Sequence, residues 1–121
     1  MNKETMFQCP IDATIKVVGG KWKPLILWNL RSGAKRYSEL EREIPGITQK
    51  MLSQSLRELE EAGLLQRVVL GTVPPRVEYS FSEFGLTLEP LLVQMCNWGK
   101  LLMERHGQRQ ACAGIEDVPG A

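Results

Sequence analysis

Residues Gly46–Leu65 read GITQKMLSQSLRELEEAGLL, and their spacing predicts a helix with an unusual charge order. Thr48 is a good N-cap, Leu52, Leu56 and Leu59 recur at helical spacing, and Gly63 suits the position just past the C-terminus. A helix gains about 0.3–1 kcal/mol for each acid near its N-terminus or base near its C-terminus. Here the first turns hold Gln49, Lys50, Ser53 and Gln54, and no acid comes before Glu58, after which Glu60 and Glu61 crowd the far end. With the leucines turned to a core, the opposite face carries Gln49, Lys50, Ser53, Gln54 and Arg57. Glutamine suits adenine, lysine or arginine suits guanine, and serine suits either bases or phosphates. A helix N-terminus without carboxylates also leaves its unpaired N–H groups open to a phosphate. The plainer alternative is an ordinary solvated polar face.

The flanks favour the first reading. Pro45-Gly46 is a turn signal, and before it a short helix over Tyr37–Ile44 places Leu40 and Ile44 on one face. Two helices precede that one. Pro10 opens the first, which Gly19-Gly20 end, and Pro24 opens a second through Leu30 that is apolar on nearly every side and belongs at the centre of the core. Beyond Gly63, Leu65–Leu70 and the alternating Val77, Tyr79 and Phe81 predict an antiparallel hairpin around the stiff loop Gly71–Pro75. A last helix, capped by Ser82 and kinked at Pro90, is expected through Arg105. The order predicts a mostly helical α+β fold: a winged helix-turn-helix with a C-terminal dimerisation helix. Its expected organisation is an N-terminal arm (residues 1–8), one domain (9–106) and a loose tail (107–121).

Composition fits this reading. The 121 residues are 43% hydrophobic, enough for one core. No apolar run approaches the roughly 18–20 residues of a membrane span, and the first residues lack the apolar stretch of a signal peptide, so a cytoplasmic protein is expected. Net charge is only +1, but five bases and no acid lie between Lys21 and Arg36, while Tyr37–Glu61 holds three bases and six acids. A basic face is thus compatible with a near-neutral total. Lys35 and Arg36, at the start of the third helix, are expected at the phosphate backbone. Arg76, beside the wing tip, is placed at phosphate or an adjacent minor groove.

Three scattered cysteines and one histidine, without a Cys-x-x-Cys pair, argue against a disulfide framework and a zinc site. Gly20-Lys21 lacks the glycine and the Ser/Thr of a phosphate loop, since Ile15 and Trp22 stand there. With His106 alone near the tail, no catalytic constellation forms, so neither an enzyme nor a cofactor is expected.

The chain resembles the HxlR-type transcription regulators, relatives of the MarR group. The resemblance rests on Cys9-Pro10, Gly19-Gly20-Lys21-Trp22, Gly46-Ile47-Thr48, Val73-Pro74-Pro75-Arg76-Val77-Glu78-Tyr79 and Asn97-Trp98-Gly99, and spans about Cys9 to Arg105. Tyr37 stands where phenylalanine is common, and Phe81-Ser82 where Leu-Thr is. The resemblance implies a bacterial homodimer on double-stranded DNA, at a short, imperfectly palindromic operator.

One recognition helix reads too few base pairs for genomic specificity, and two spaced one helical turn apart double the readout. Trp98, Leu101 and Leu102 extend the apolar stripe of the last helix beyond what a small winged body covers, which marks a dimer interface unless the stripe packs on its own domain. Cys9, just before a helix start, lies where a thiolate is favoured. The resemblance adds that some members sense electrophiles or oxidants at this position, while others carry the same cysteine without such a role. Cys112 is a candidate disulfide partner from the other subunit, and Cys96 reads as a core residue. A small ligand between the last helix and the winged body is a further candidate effector. The rival to DNA binding is a winged helix used as a protein-interaction module, since fold alone does not decide.

Overall fold

The computed structural model describes residues 6–108. The described chain divides into two compact units between Leu86 and Thr87. In the first, α1 (Pro10–Val18), α2 (Trp22–Asn29), a 3₁₀ turn (Leu30–Ser32), β1 (Lys35–Arg36), α3 (Tyr37–Glu43) and α4 (Gln49–Glu61) precede the hairpin of β2 (Leu65–Leu70) and β3 (Arg76–Phe81). A second 3₁₀ turn, Gly85–Leu88, crosses the unit boundary and leads into α5 (Glu89–Arg105).

Local chemistry places most of these boundaries. Cys9 caps α1, its Sγ accepting the Asp12 N–H at 3.4 Å, and Pro10 begins the helix where no donor is missed. At the other end Gly19 donates to the Ile15 carbonyl, and a Cβ there would lie 2.2 Å from that oxygen, so only glycine fits. α2 starts two residues before Pro24, which sits in the first turn and costs no internal bond. Its Ile26 and Leu27 are fully buried, whereas Leu25 is exposed, so α2 is central on one side only. That side packs against α4 and α3, and Leu40, Leu52, Leu56 and Leu59 complete the centre of the core.

α4 ends in a paired cap: Leu64 N–H donates to the Leu59 carbonyl and Gly63 N–H to that of Glu60. Gly63 takes φ +81°, the left-handed turn that this cap requires, and Leu59 and Leu64 are both buried beneath it. The chain then enters β2, which pairs antiparallel with β3 from Leu65↔Phe81 to Leu70↔Arg76.

Three expectations change. Lys35 and Arg36, expected at the start of the third helix, also form a strand that runs into it, with Arg36 as the N-cap of α3: Lys35 pairs with Tyr79 and Arg36 with Glu78, giving the sheet order β1-β3-β2. β3 is therefore central, and Val77–Phe81 are all part-covered instead of alternating. Ser82 does not cap the last helix. Its hydroxyl donates to the Gly63 carbonyl and accepts the Gly85 N–H, while its own N–H donates to the Leu64 carbonyl at 2.9 Å. Ser82 thereby ties the end of β3 to the end of α4. Finally, α5 begins at Glu89, so Pro90 lies in its first turn and introduces no kink, because the N–H it lacks has no partner there anyway.

α5 is a 17-residue helix closed by the same kind of cap as α4, with Gly107 at φ +76° and bonds from Gly107 and Gln108 to the Glu104 and Met103 carbonyls. Leu92, Cys96 and Asn97 are buried, and Cys96 is disulfide-bonded. Trp98 is 63% exposed and Leu101 60% exposed, with Leu102 and Met95 also open. No helix among the described residues is long and apolar enough to cross a membrane.

Candidate nucleic-acid interface

α3 and α4 are joined by a tight corner in which Gly46 takes φ +85° and Ile47 N–H donates to the Ile44 carbonyl. The corner ends at Thr48, whose hydroxyl accepts the Met51 N–H at 3.1 Å. One donor of the first turn is satisfied in this way, and the turn holds no acid. The predicted reading face is then continuous: Thr48, Gln49, Lys50, Ser53, Gln54 and Arg57 are all exposed, while Leu52, Leu56 and Leu59 on the opposite side are buried. Lys50, Ser53, Gln54 and Arg57 line one shallow groove together with Glu58 and Glu61.

Sequence reasoning put the acids away from this face, and the geometry places Glu58 beside it. Gln54 Nε2 donates to Glu58 Oε2 at 3.2 Å, and Glu58 Oε1 receives Lys23 Nζ of α2 at 2.7 Å. The Lys23 ammonium, followed by the Gln54 amide, holds the Glu58 carboxyl below its ordinary value. The charge of Glu58 is thus answered from within the fold, and one amide hydrogen of Gln54 is committed, leaving its carbonyl oxygen and second hydrogen for a base edge. The Gln54–Glu58 spacing of four residues was readable in the sequence; the arrival of Lys23 from another helix was not.

Tyr37 went unnoticed as a partner of the reading helix. From the start of α3 its hydroxyl reaches the Gln49 carbonyl and the Ser53 hydroxyl, each at 2.9 Å. Sixteen residues separate Tyr37 from Ser53, and no local pattern marks the contact.

The three predicted backbone contacts differ. Arg36 is exposed, and its N–H donates to Glu39 at 2.8 Å, which keeps that carboxyl low. Lys35 is instead ion-paired with Glu43, its side chain 17% exposed. Arg76 directs Nε and Nη2 to one oxygen of Glu78, at 3.2 and 3.0 Å, and remains more than half exposed. Among the described residues Lys50 and Arg57 have no ion-pair partner within 4.0 Å.

Cys9 is an exposed free thiol. Asp12 beside it accepts the Gln8 N–H at 3.0 Å and pairs with Lys16 at 3.1 Å, and these two partners, in that order, lower its pKa. The predicted partner Cys112 lies outside the described residues. Ile11 and Ile15 of α1 are strongly exposed.

Three helices, a tight corner before an exposed polar helix and a three-stranded sheet with a projecting hairpin define a winged helix-turn-helix protein of the DNA-binding type. Residues 17–107 match the HxlR-like helix-turn-helix family, and the chain belongs to it. It is 45% identical over 109 residues to the uncharacterized HTH-type transcriptional regulator YdeP of Bacillus subtilis strain 168, covering 90% of this chain and 85% of that one. Among solved structures it resembles the redox regulator HypR. In its oxidised form the TM-score is 0.73 at 46% identity, with 85% of this chain and all of that one covered. In its reduced form the TM-score is 0.77 at 45% identity, with 82% and 98% covered. The chain is accordingly a DNA-binding transcriptional regulator of the MarR-like winged-helix group and not an enzyme.

Proposed function

We propose that two copies of the chain bind a short pseudo-palindromic operator, each placing α4 in the major groove. The observation that carries this is the acid-free, Thr48-capped start of α4 with Gln49, Lys50, Ser53, Gln54 and Arg57 exposed behind it. Arg36 and Arg76 supply the backbone contacts, with Lys35 contributing only as far as Glu43 releases it. Trp98, Leu101 and Leu102 of α5 form the dimer contact, a reading supported by three large apolar side chains exposed on one helix. Oxidation or electrophile modification of Cys9 modulates binding. This reading is supported by the exposed thiol at the α1 N-terminus and by the likeness to a redox regulator. A small ligand is the alternative effector.

The experiment is a titration on promoter duplexes at several salt concentrations. For about 6 phosphate contacts, log K falls against log salt with a slope near −5. A flat salt response without preference for any promoter would instead identify a winged helix that binds protein.

A further inference from the structure

We infer that Tyr37 sets the base preference of Ser53: it turns the serine into a hydrogen-bond acceptor only, which selects an amino-bearing base, adenine or cytosine, in the major groove. The inference rests on the placement of α4 on DNA proposed above.

Two hydroxyl protons serve three oxygens at this contact. Tyr37 Oη lies 2.9 Å from the Gln49 carbonyl oxygen and 2.9 Å from Ser53 Oγ. A phenol has one proton, and a carbonyl can only accept. The Tyr37 proton therefore goes to Gln49, and the second contact closes only if Ser53 donates its proton to Tyr37 Oη. Ser53 is then left with lone pairs facing the exposed side of α4.

This changes what the serine can recognise. An unconstrained hydroxyl rotates to donate or accept and so discriminates poorly among bases. An acceptor cannot bond guanine O6 or N7, thymine O4 or a phosphate oxygen, all of which are acceptors themselves. It can bond adenine N6 and cytosine N4, the amino donors of the major groove. With both contacts kept, the bonds run one way, from Ser53 to Tyr37 to the Gln49 carbonyl, because a carbonyl cannot donate. Tyr37 is half-covered at the first residue of α3, so its ring is held while its hydroxyl reaches across to α4. It acts through Ser53 as a positioning residue and needs no contact with DNA.

The test is selection from a random duplex library by the full chain, comparing wild type, Tyr37→Phe and Ser53→Ala. The wild type should enrich adenine or cytosine at one position of each half-site. Tyr37→Phe should lower that preference about 5-fold, the worth of one hydrogen bond of about 1 kcal/mol, and admit guanine and thymine there, with every other position unchanged. Ser53→Ala should erase the preference at the same position. This arm stands even if Tyr37→Phe does not fold. A motif unchanged by either folded variant overturns the inference alone, as does a Tyr37→Phe that weakens all sequences equally. A wild type that enriches no motif overturns the DNA reading and this inference with it.

Discussion

Replacing Gly85 with alanine should destabilise the winged unit more than any other glycine-to-alanine change on the wing side of α4, although Gly85 has an ordinary backbone conformation. A Cβ at this position would lie 2.0 Å from the Leu64 carbonyl oxygen, 2.9 Å from its carbon and 3.0 Å from Phe81 Cδ1. A tolerable carbon–oxygen approach is about 3.3 Å, so the backbone must give by more than 1 Å or so. Leu64 has little room to yield: its carbonyl accepts the Ser82 N–H, and its side chain is buried at the end of α4. Overpacking costs about 1–3 kcal/mol and the strained Ser82 bond about 1 more, offset by about 0.4–1 from the stiffer unfolded chain. The net is about 1–3.5 kcal/mol, or about 5–25 °C in Tm for a domain of this size. Gly63→Ala is the comparison: φ is +81° with nothing within 4 Å of the added carbon, so only the left-handed penalty of about 1 kcal/mol applies. Thermal and urea unfolding, followed by circular dichroism at fixed chain concentration, measures both. A Gly85→Ala variant that melts within about 3 °C of wild type, or above Gly63→Ala, refutes the reasoning.

Further outcomes concern DNA and assembly. Arg36→Ala should weaken binding to every sequence and reduce the salt slope by about 1, whereas Gln54→Ala should change sequence preference and leave the slope alone. If the two behave alike, the reading face is assigned wrongly. Trp98→Asp, at an exposed position, should abolish the proposed dimer and leave folded monomers in sedimentation; a variant that sediments as the wild type does removes α5 from the interface. Cys9→Ser should bind the operator normally but lose its response to oxidant, and an intact response excludes Cys9 from sensing.

The sequence by itself determined those elements whose stabilising contacts lie within one helical turn. Thr48 bonds three residues ahead, Gly63 closes a cap over the last turn of α4, and the leucine spacing leaves one face for the core. These are short-range geometries, so α4 and its polar face were legible, together with α1 and α3; the hairpin, whose strands pair from Leu65↔Phe81 to Leu70↔Arg76, was legible instead from two apolar runs around a stiff loop. β1 was not legible, because Lys35-Arg36 has neither alternation nor apolar character and becomes a strand only by lying against Tyr79 and Glu78. From the sequence Ser82 was the expected start of the last helix, and Pro90 an expected kink within it. Tertiary bonding settled the matter by drawing the Ser82 hydroxyl to Gly63 and Gly85, which leaves Pro90 to open α5.

The candidate site divides in the same way. Which residues are polar and exposed on α4 follows from periodicity. Which of their hydrogen bonds are already committed does not. Lys35 to Glu43, Lys23 to Glu58 and Tyr37 to Ser53 join residues from 8 to 35 positions apart, and each withdraws a charge or a proton from what the sequence offers to DNA. Periodicity fixes the direction of a side chain, but only the packed helices decide what is left for it to bind.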